Sequence, residues 1–186
     1  MFGEILLFTL LFSLLFTIFL RGEDVKNLSI LGVMDEEPFD ARTWSGSSAY
    51  FFKALKQQGV LHAAIPAQPA KITQLFYKAM SFQSKICEWK FKYHLNLNYY
   101  RQMTLAAKKA LNQFDESQYS VILQVGAWYD MAGYKDKKVV SYHDGNLAAM
   151  LSSPYGYPKI NESYIRRTLD YERDLYSRLD LIFPMS

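Results

Sequence analysis

The chain has 186 residues, half of them hydrophobic and 16% aromatic, which is enough for one domain with a packed core and too apolar for a disordered, collagen-like or low-complexity chain. The single cysteine, Cys87, excludes an intramolecular disulfide framework and paired-cysteine metal sites, and reads as a small buried hydrophobe in a chain that needs no oxidising compartment. The net charge of +3 is unevenly spread: residues 68–113 hold eight basic groups against one acid, while the segments on either side are slightly acidic.

Ile5 to Leu20 is an uncharged apolar run bounded by Glu4 and Arg21. As a helix it would span roughly 24 Å, a little short of a ~30 Å hydrocarbon core. No basic residue precedes it and no small-x-small pattern follows, so a cleaved signal peptide fits poorly. Residues 1–22 are therefore read as an N-terminal hydrophobic helix and membrane anchor. Arg21 and Lys26 place the rest on the cytoplasmic face. Two alternatives stay open: a buried helix, or a start codon assigned too far upstream, which would leave a cytoplasmic protein.

Beyond it, residues 27–186 alternate short apolar runs with helical patterns. Leu28–Met34, Leu61–Ile65, Val121–Val125, Lys138–Tyr142 and Leu181–Met185 are near-continuously apolar, as strands buried on both faces of a parallel sheet should be. Ser47–Gln58 places Phe51, Ala54 and Leu55 on one face and ends at Gly59, so the first two strands and this helix make a β-α-β unit. Repetition of that unit predicts an α/β fold: a Rossmann-like, doubly wound parallel sheet in a single domain.

The basic block at 68–113 is too long for a loop and predicts two or three inserted helices. Its lysines are interleaved with Phe76, Tyr77, Phe82, Trp89, Phe91, Tyr93, Tyr99 and Tyr100, a mixture suited to anionic lipid headgroups or nucleic acid. No nucleic-acid motif accompanies it, which leaves a membrane surface or ordinary solvated helices. Near the carboxyl end, Ser163–Leu179 is amphipathic, with Glu172 inside the apolar arc. An acid there requires a partner: a ligand or, the favoured reading, backbone N–H groups or an arginine.

Ligands of such sheets bind at the carboxyl ends of the strands. The first strand is followed by DEEPFDARTWSGSS, where Gly46 and Ser47 at a helix start offer N–H groups for a phosphate, although Ser47 serves equally as an N-cap. After the third strand comes GAWYD, with Gly126 and Trp128, and after the fourth HDGN, with His143 and Asp144. His143 is the best candidate for polar chemistry, its ring expected to face the crevice. His62, within an apolar strand, and His94, within the basic block, are poorer ones. The chain has no GxGxxG, no GxxxxGK[ST], no metal-ligand spacing and no Asp-x-Asp pair, so neither a dinucleotide cofactor nor a metal is expected.

The runs ILGVMDEEPFDARTWSGSSAYFFKALKQQG, KVVSYHDGN and YERDLYSRLDLIFPMS together resemble the amino-terminal domain of a GT-B glycosyltransferase, close to family 4. The resemblance implies half of a GT-B fold, the acceptor-side domain of a nucleotide-sugar-dependent, hexosyltransferase-type enzyme. It places Trp44, Ser45, Gly46 and Ser47 near the donor diphosphate, and His143 and Asp144 in the sugar-transfer pocket. The acceptor would be a glycan or a lipid-linked, membrane-proximal one. The donor would be held mainly by a second domain that would follow Ser186, so this chain by itself should not turn over a nucleotide-sugar. It is then a fragment, with two alternatives: a membrane-anchored, non-catalytic subunit that completes a split transferase, or an unrelated Rossmann-like ligand-binding module.

Overall fold

The computed structural model describes residues 28–42, 46–143, 145–153 and 157–184. The segment 1–22, with its membrane-anchor reading, lies outside them, and among the described residues no helix is long and apolar enough to cross a membrane.

Five strands form one parallel sheet: β1 (Ile30–Met34), β2 (Leu61–Pro66), β3 (Val121–Val125), β4 (Lys138–His143) and β5 (Leu181–Pro184). Their spatial order is β2-β1-β3-β4-β5. The chain steps one way from β1 to β2 and the other way from β3 onward, so the sheet is doubly wound with its switch point between β1 and β3. Every residue of β1 and β3 is buried, which is why these segments are apolar except at Gln124, whose side-chain amide is hydrogen-bonded.

The helix α1 (Ser47–Gln57) returns the chain from β1 to β2 over one face. Its Phe52 and Leu55 pack with Ile30, Met34, Val125, Val140 and Tyr142. A Cβ at Gly32 would collide with the Phe52 ring, so the helix sits directly on the bare backbone of β1. The opposite face is covered by α4 (Leu97–Leu111) and α6 (Glu162–Arg178). Met103, Ala107 and Leu111 of α4 pack with Leu31, Val33, Ile122 and Val139. The basic block forms three helices, α2 (Lys71–Met80), α3 (Ile86–His94) and α4, and a further short helix, α5 (Leu147–Leu151), follows β4.

Residues 126–137, between β3 and β4, contain no α-helix. Tyr129, Met131 and Tyr134 turn inward instead and fill the core beside α4, doing a helix's packing with a loop. The Tyr129 hydroxyl donates to the Val33 carbonyl at 2.6 Å, lies 2.9 Å from the Val125 carbonyl, and accepts the Val125 N–H at 3.2 Å. One buried phenol thus ties the carboxyl ends of β1 and β3 together. Cys87, expected to be buried, is exposed on α3. That helix buries only Phe91, and Cys87 lies a turn before it on the part of α3 that the core does not cover.

Replacing Tyr129 by phenylalanine keeps the ring but removes the buried hydrogen bonds of its hydroxyl at the strand ends. We expect Tyr129→Phe to lower stability by about 1–3 kcal/mol in urea denaturation. An unchanged midpoint would mean that the hydroxyl contributes nothing at the strand ends.

Candidate functional site

The carboxyl ends of β3 and β4 open into a crevice of about 660 Å³. One wall is Phe91, His94 and Leu95 of α3 and its end, with Tyr100 of α4. The other is Gly145, Asn146 and Leu147 at the start of α5, and the floor includes Gly126, Ala127, Trp128 and Glu172. A second cavity of about 360 Å³ adjoins it at the ends of β1 and β2, sharing His94, Tyr100 and Trp128 and adding Asp35, Glu36 and Gln68. Together they lie along the carboxyl edge across the switch point, where doubly wound sheets bind ligands.

Backbone geometry shapes the floor. Gly126 adopts a left-handed conformation, φ 86°, and its N–H bonds to the Tyr142 carbonyl at 3.0 Å. The buried Gln124 amide donates to the Gly126 carbonyl at 2.8 Å and accepts the Met131 N–H at 3.1 Å. Asp130 receives Arg178 at 2.9 Å, while its own N–H bonds to Thr104 of α4. The loop carrying Trp128 is therefore held from the strand, from α4 and from α6. Trp128 stands with its ring centroid 5.0 Å from that of His94, and the Tyr100 hydroxyl donates to the His94 carbonyl.

His94 is accessible at the wall, yet the surrounding crevice holds its imidazole below its ordinary value, first through desolvation and then through Lys90 and Lys78. It is a neutral donor and acceptor at physiological pH. Glu172 is buried and accepts the Leu147 N–H at 3.0 Å. Burial raises its pKa, partly offset by that N–H. The favoured reading of the sequence holds, since the carboxylate accepts a backbone N–H, and the residue also lines the crevice. Beside it the buried hydroxyls of Tyr171 and Tyr176 have no hydrogen-bond partner, and neither residue lines the crevice.

The residues singled out from sequence are distributed as follows. Gly126 and Trp128 line the crevice. Gly46 and Ser47 begin α1, with Gly46 at φ 82°, and line neither of the two cavities. A Cβ at Gly46 would come within 3.1 Å of the Ala41 carbonyl, so its left-handed turn and the approach of the preceding loop account for the glycine. Trp44, Ser45 and Asp144 lie outside the described residues. His143 is at the end of β4, but its ring does not face the crevice: it is only 6% exposed, its Nε2 is 2.7 Å from the Ser141 hydroxyl, and Tyr176 covers it edge-on at 5.0 Å. The two-residue strand period puts Ser141 and His143 on the same face, under α6. His62 is exposed on β2 against the Phe114 ring.

The sequence ranks His94 below His143 as a candidate, names Tyr100 only among the aromatics of the basic block, and gives Asn146 no role; in the structure Asn146 is the N-cap of α5, accepting the Ala149 N–H at 2.8 Å. Among the described residues no three His, Cys, Asp or Glu side chains gather as a metal would require.

The chain matches no family model, no curated protein and no solved structure at a significant level. Fold and site define it as an α/β protein with a doubly wound parallel sheet and a crevice at its switch point.

Desolvation holds the His143 imidazole down at about 4. Above about pH 6.5 it is neutral folded or unfolded. Between about 6.5 and 4 the unfolded chain takes up a proton that the folded chain refuses, so stability falls as pH drops, by at most about 3 kcal/mol from this group. His143→Leu should flatten that slope when denaturant midpoints are compared at pH 7 and pH 4.5. Parallel slopes for the two proteins would show that another group controls the acid side.

Proposed function

We propose that the crevice binds a carbohydrate and that the chain is the acceptor-side domain of a nucleotide-sugar-dependent glycosyltransferase. The observation that carries the reading is the composition of the crevice at the β3 and β4 ends: aromatic surfaces from Phe91, Tyr100 and Trp128, with His94, Asn146 and Glu172 among them. A pyranose has apolar C–H faces and a rim of hydroxyls. Aromatic planes bind the first, and a few placed donors and acceptors bind the second.

In this reading the acceptor hydroxyl enters beside Trp128 and Asn146, and the donor is held over the same edge of the sheet by a second domain or a partner subunit. Both reactants must be in register for transfer, so the 186-residue chain alone binds acceptor without turning over donor. The helix start at Gly46 and Ser47 faces a different part of the carboxyl edge and is assigned to the donor phosphates, whose charge its N–H groups suit. His143 acts at one remove, as a positioning residue under α6 that sets Tyr176 and the Glu172 side of the floor. Glu172 fixes Leu147 and presents its carboxyl group to the crevice, where desolvation suits it to accept a hydroxyl proton or donate a hydrogen bond.

The test is ligand binding followed by Trp128 fluorescence and thermal shift, with free glycans, glycosides and lipid-linked saccharides as probes. Binding should raise the melting temperature, and Trp128→Ala should weaken it by roughly tenfold, about 1.4 kcal/mol, as a smaller ligand-induced rise from that variant's own unliganded melting temperature. No stabilisation by any saccharide, with stabilisation by an unrelated small molecule instead, would replace the transferase reading with a general ligand-binding module.

A further inference from the structure

The helix α2 is mounted with its polar side inward. Gln74 donates to the Pro69 carbonyl at 2.9 Å and the Tyr77 ring rests on Tyr99 of α4, while none of its residues is buried. Facing outward are Ile72, Leu75, Phe76 and Met80, at i, i+3, i+4 and i+8, continued by Phe82 and by Ile86 at the start of α3. These six side chains are 56–74% exposed. Scattered exposed apolar residues need no explanation, but a contiguous stripe along one helix marks an interaction surface.

Charge and shape point to what covers it. The stripe belongs to the segment with eight basic groups and one acid, and that acid, Glu88, is paired with Lys85 at 3.1 Å. Beside Phe76 and Met80 a groove of about 530 Å³ is bordered by Asn98, Arg101 and Arg167, with both arginines on the exposed surface. An apolar helix face edged by lysines, with guanidinium groups at its margin, has the layered chemistry of a bilayer interface, acyl chains below and phosphates above. A second copy of the chain would bring one basic block against another. The chain's own Ile5–Leu20 run is uncharged and would leave the basic margin without counter-charge.

We propose that α2 docks on an anionic bilayer, its apolar stripe in the acyl boundary and Arg101 and Arg167 on lipid phosphate. The proposal is independent of the saccharide reading of the crevice. It is also independent of the amino-terminal segment, provided that the contact is read locally.

Cys87 allows that local reading. It is the chain's sole cysteine, it is exposed, and it adjoins Ile86. A polarity-sensitive fluorophore on Cys87 of the full chain should shift to the blue on addition of phosphatidylcholine–phosphatidylglycerol vesicles, and the shift should shrink as salt is raised. Leu75→Ser combined with Phe76→Ser should raise the lipid concentration needed by roughly tenfold, and Arg101→Glu with Arg167→Glu should do likewise on anionic vesicles. Because all four side chains border solvent, the far-ultraviolet spectrum should stay unchanged. Vesicle association without a blue shift would place membrane contact elsewhere on the chain and overturn the proposal. An equal shift on neutral phosphatidylcholine, no association at all, or a shift that grows with protein concentration in the absence of lipid would each overturn it too.

Discussion

The two cavities of the carboxyl edge flank the seam between β1 and β3, where these strands are held side by side while the chain leaves them in opposite directions. Val33 and Val125 are paired in the parallel ladder near the carboxyl ends of β1 and β3. Tyr129 adds its hydroxyl to their backbone groups from the side. This residue closes the strand ends and fixes where the loop after β3 must pass. Gln124, buried on β3, then clamps both ends of the same loop through Gly126 and Met131. Trp128 projects from the short stretch between these clamps, which makes it a rigidly mounted part of the floor and not a mobile loop tip.

The far wall is built differently. The helix α5 has only five residues and could not hold itself in place by propensity. Its first N–H is held by Glu172 from α6, and its cap is Asn146. The position of Asn146 at the crevice therefore depends on a buried carboxylate carried by a separate element, α6 (Glu162–Arg178). Burial of that carboxylate opposes its charge, and the neighbouring phenols of Tyr100, Tyr171 and Tyr176 share the same poorly solvated region. A polar ligand entering here meets groups already stripped of water, where hydrogen bonds carry more weight than at an open surface.

The strands were legible because burial on both faces leaves an apolar run that needs no periodicity: Val121–Val125 has the expected bounds, and the others differ by one or two residues at their ends. The helix Glu162–Arg178 was legible from its single apolar stripe. The doubly wound class followed from repetition of the β-α-β unit once the strands were in place. Much of the site was not legible, for physical reasons. His94 and Tyr100 come from an insertion between β2 and β3, and no local pattern says that its helices α3 and α4 fold over the ends of β3 and β4. His143 illustrates the converse. A polar residue at a strand end suggested a ligand, but the strand's two-residue alternation put it beside Ser141 under Tyr176, where a hydrogen bond and an edge-on ring contact account for it. Cys87 and the outward stripe of α2 show the same limit, since amphipathicity reveals that a helix has two faces without saying which one meets the protein.

The central claim is that the carboxyl ends of β3 and β4 form a saccharide site. The most direct measurement is a titration of the isotopically labelled chain with glycan, following backbone amide shifts. The account requires the largest changes at Gly126–Trp128 and Gly145–Leu147, with the indole N–H of Trp128 shifting in step. Changes centred on the start of α1 and absent from these two loops, or no saturable change with any saccharide, would contradict it.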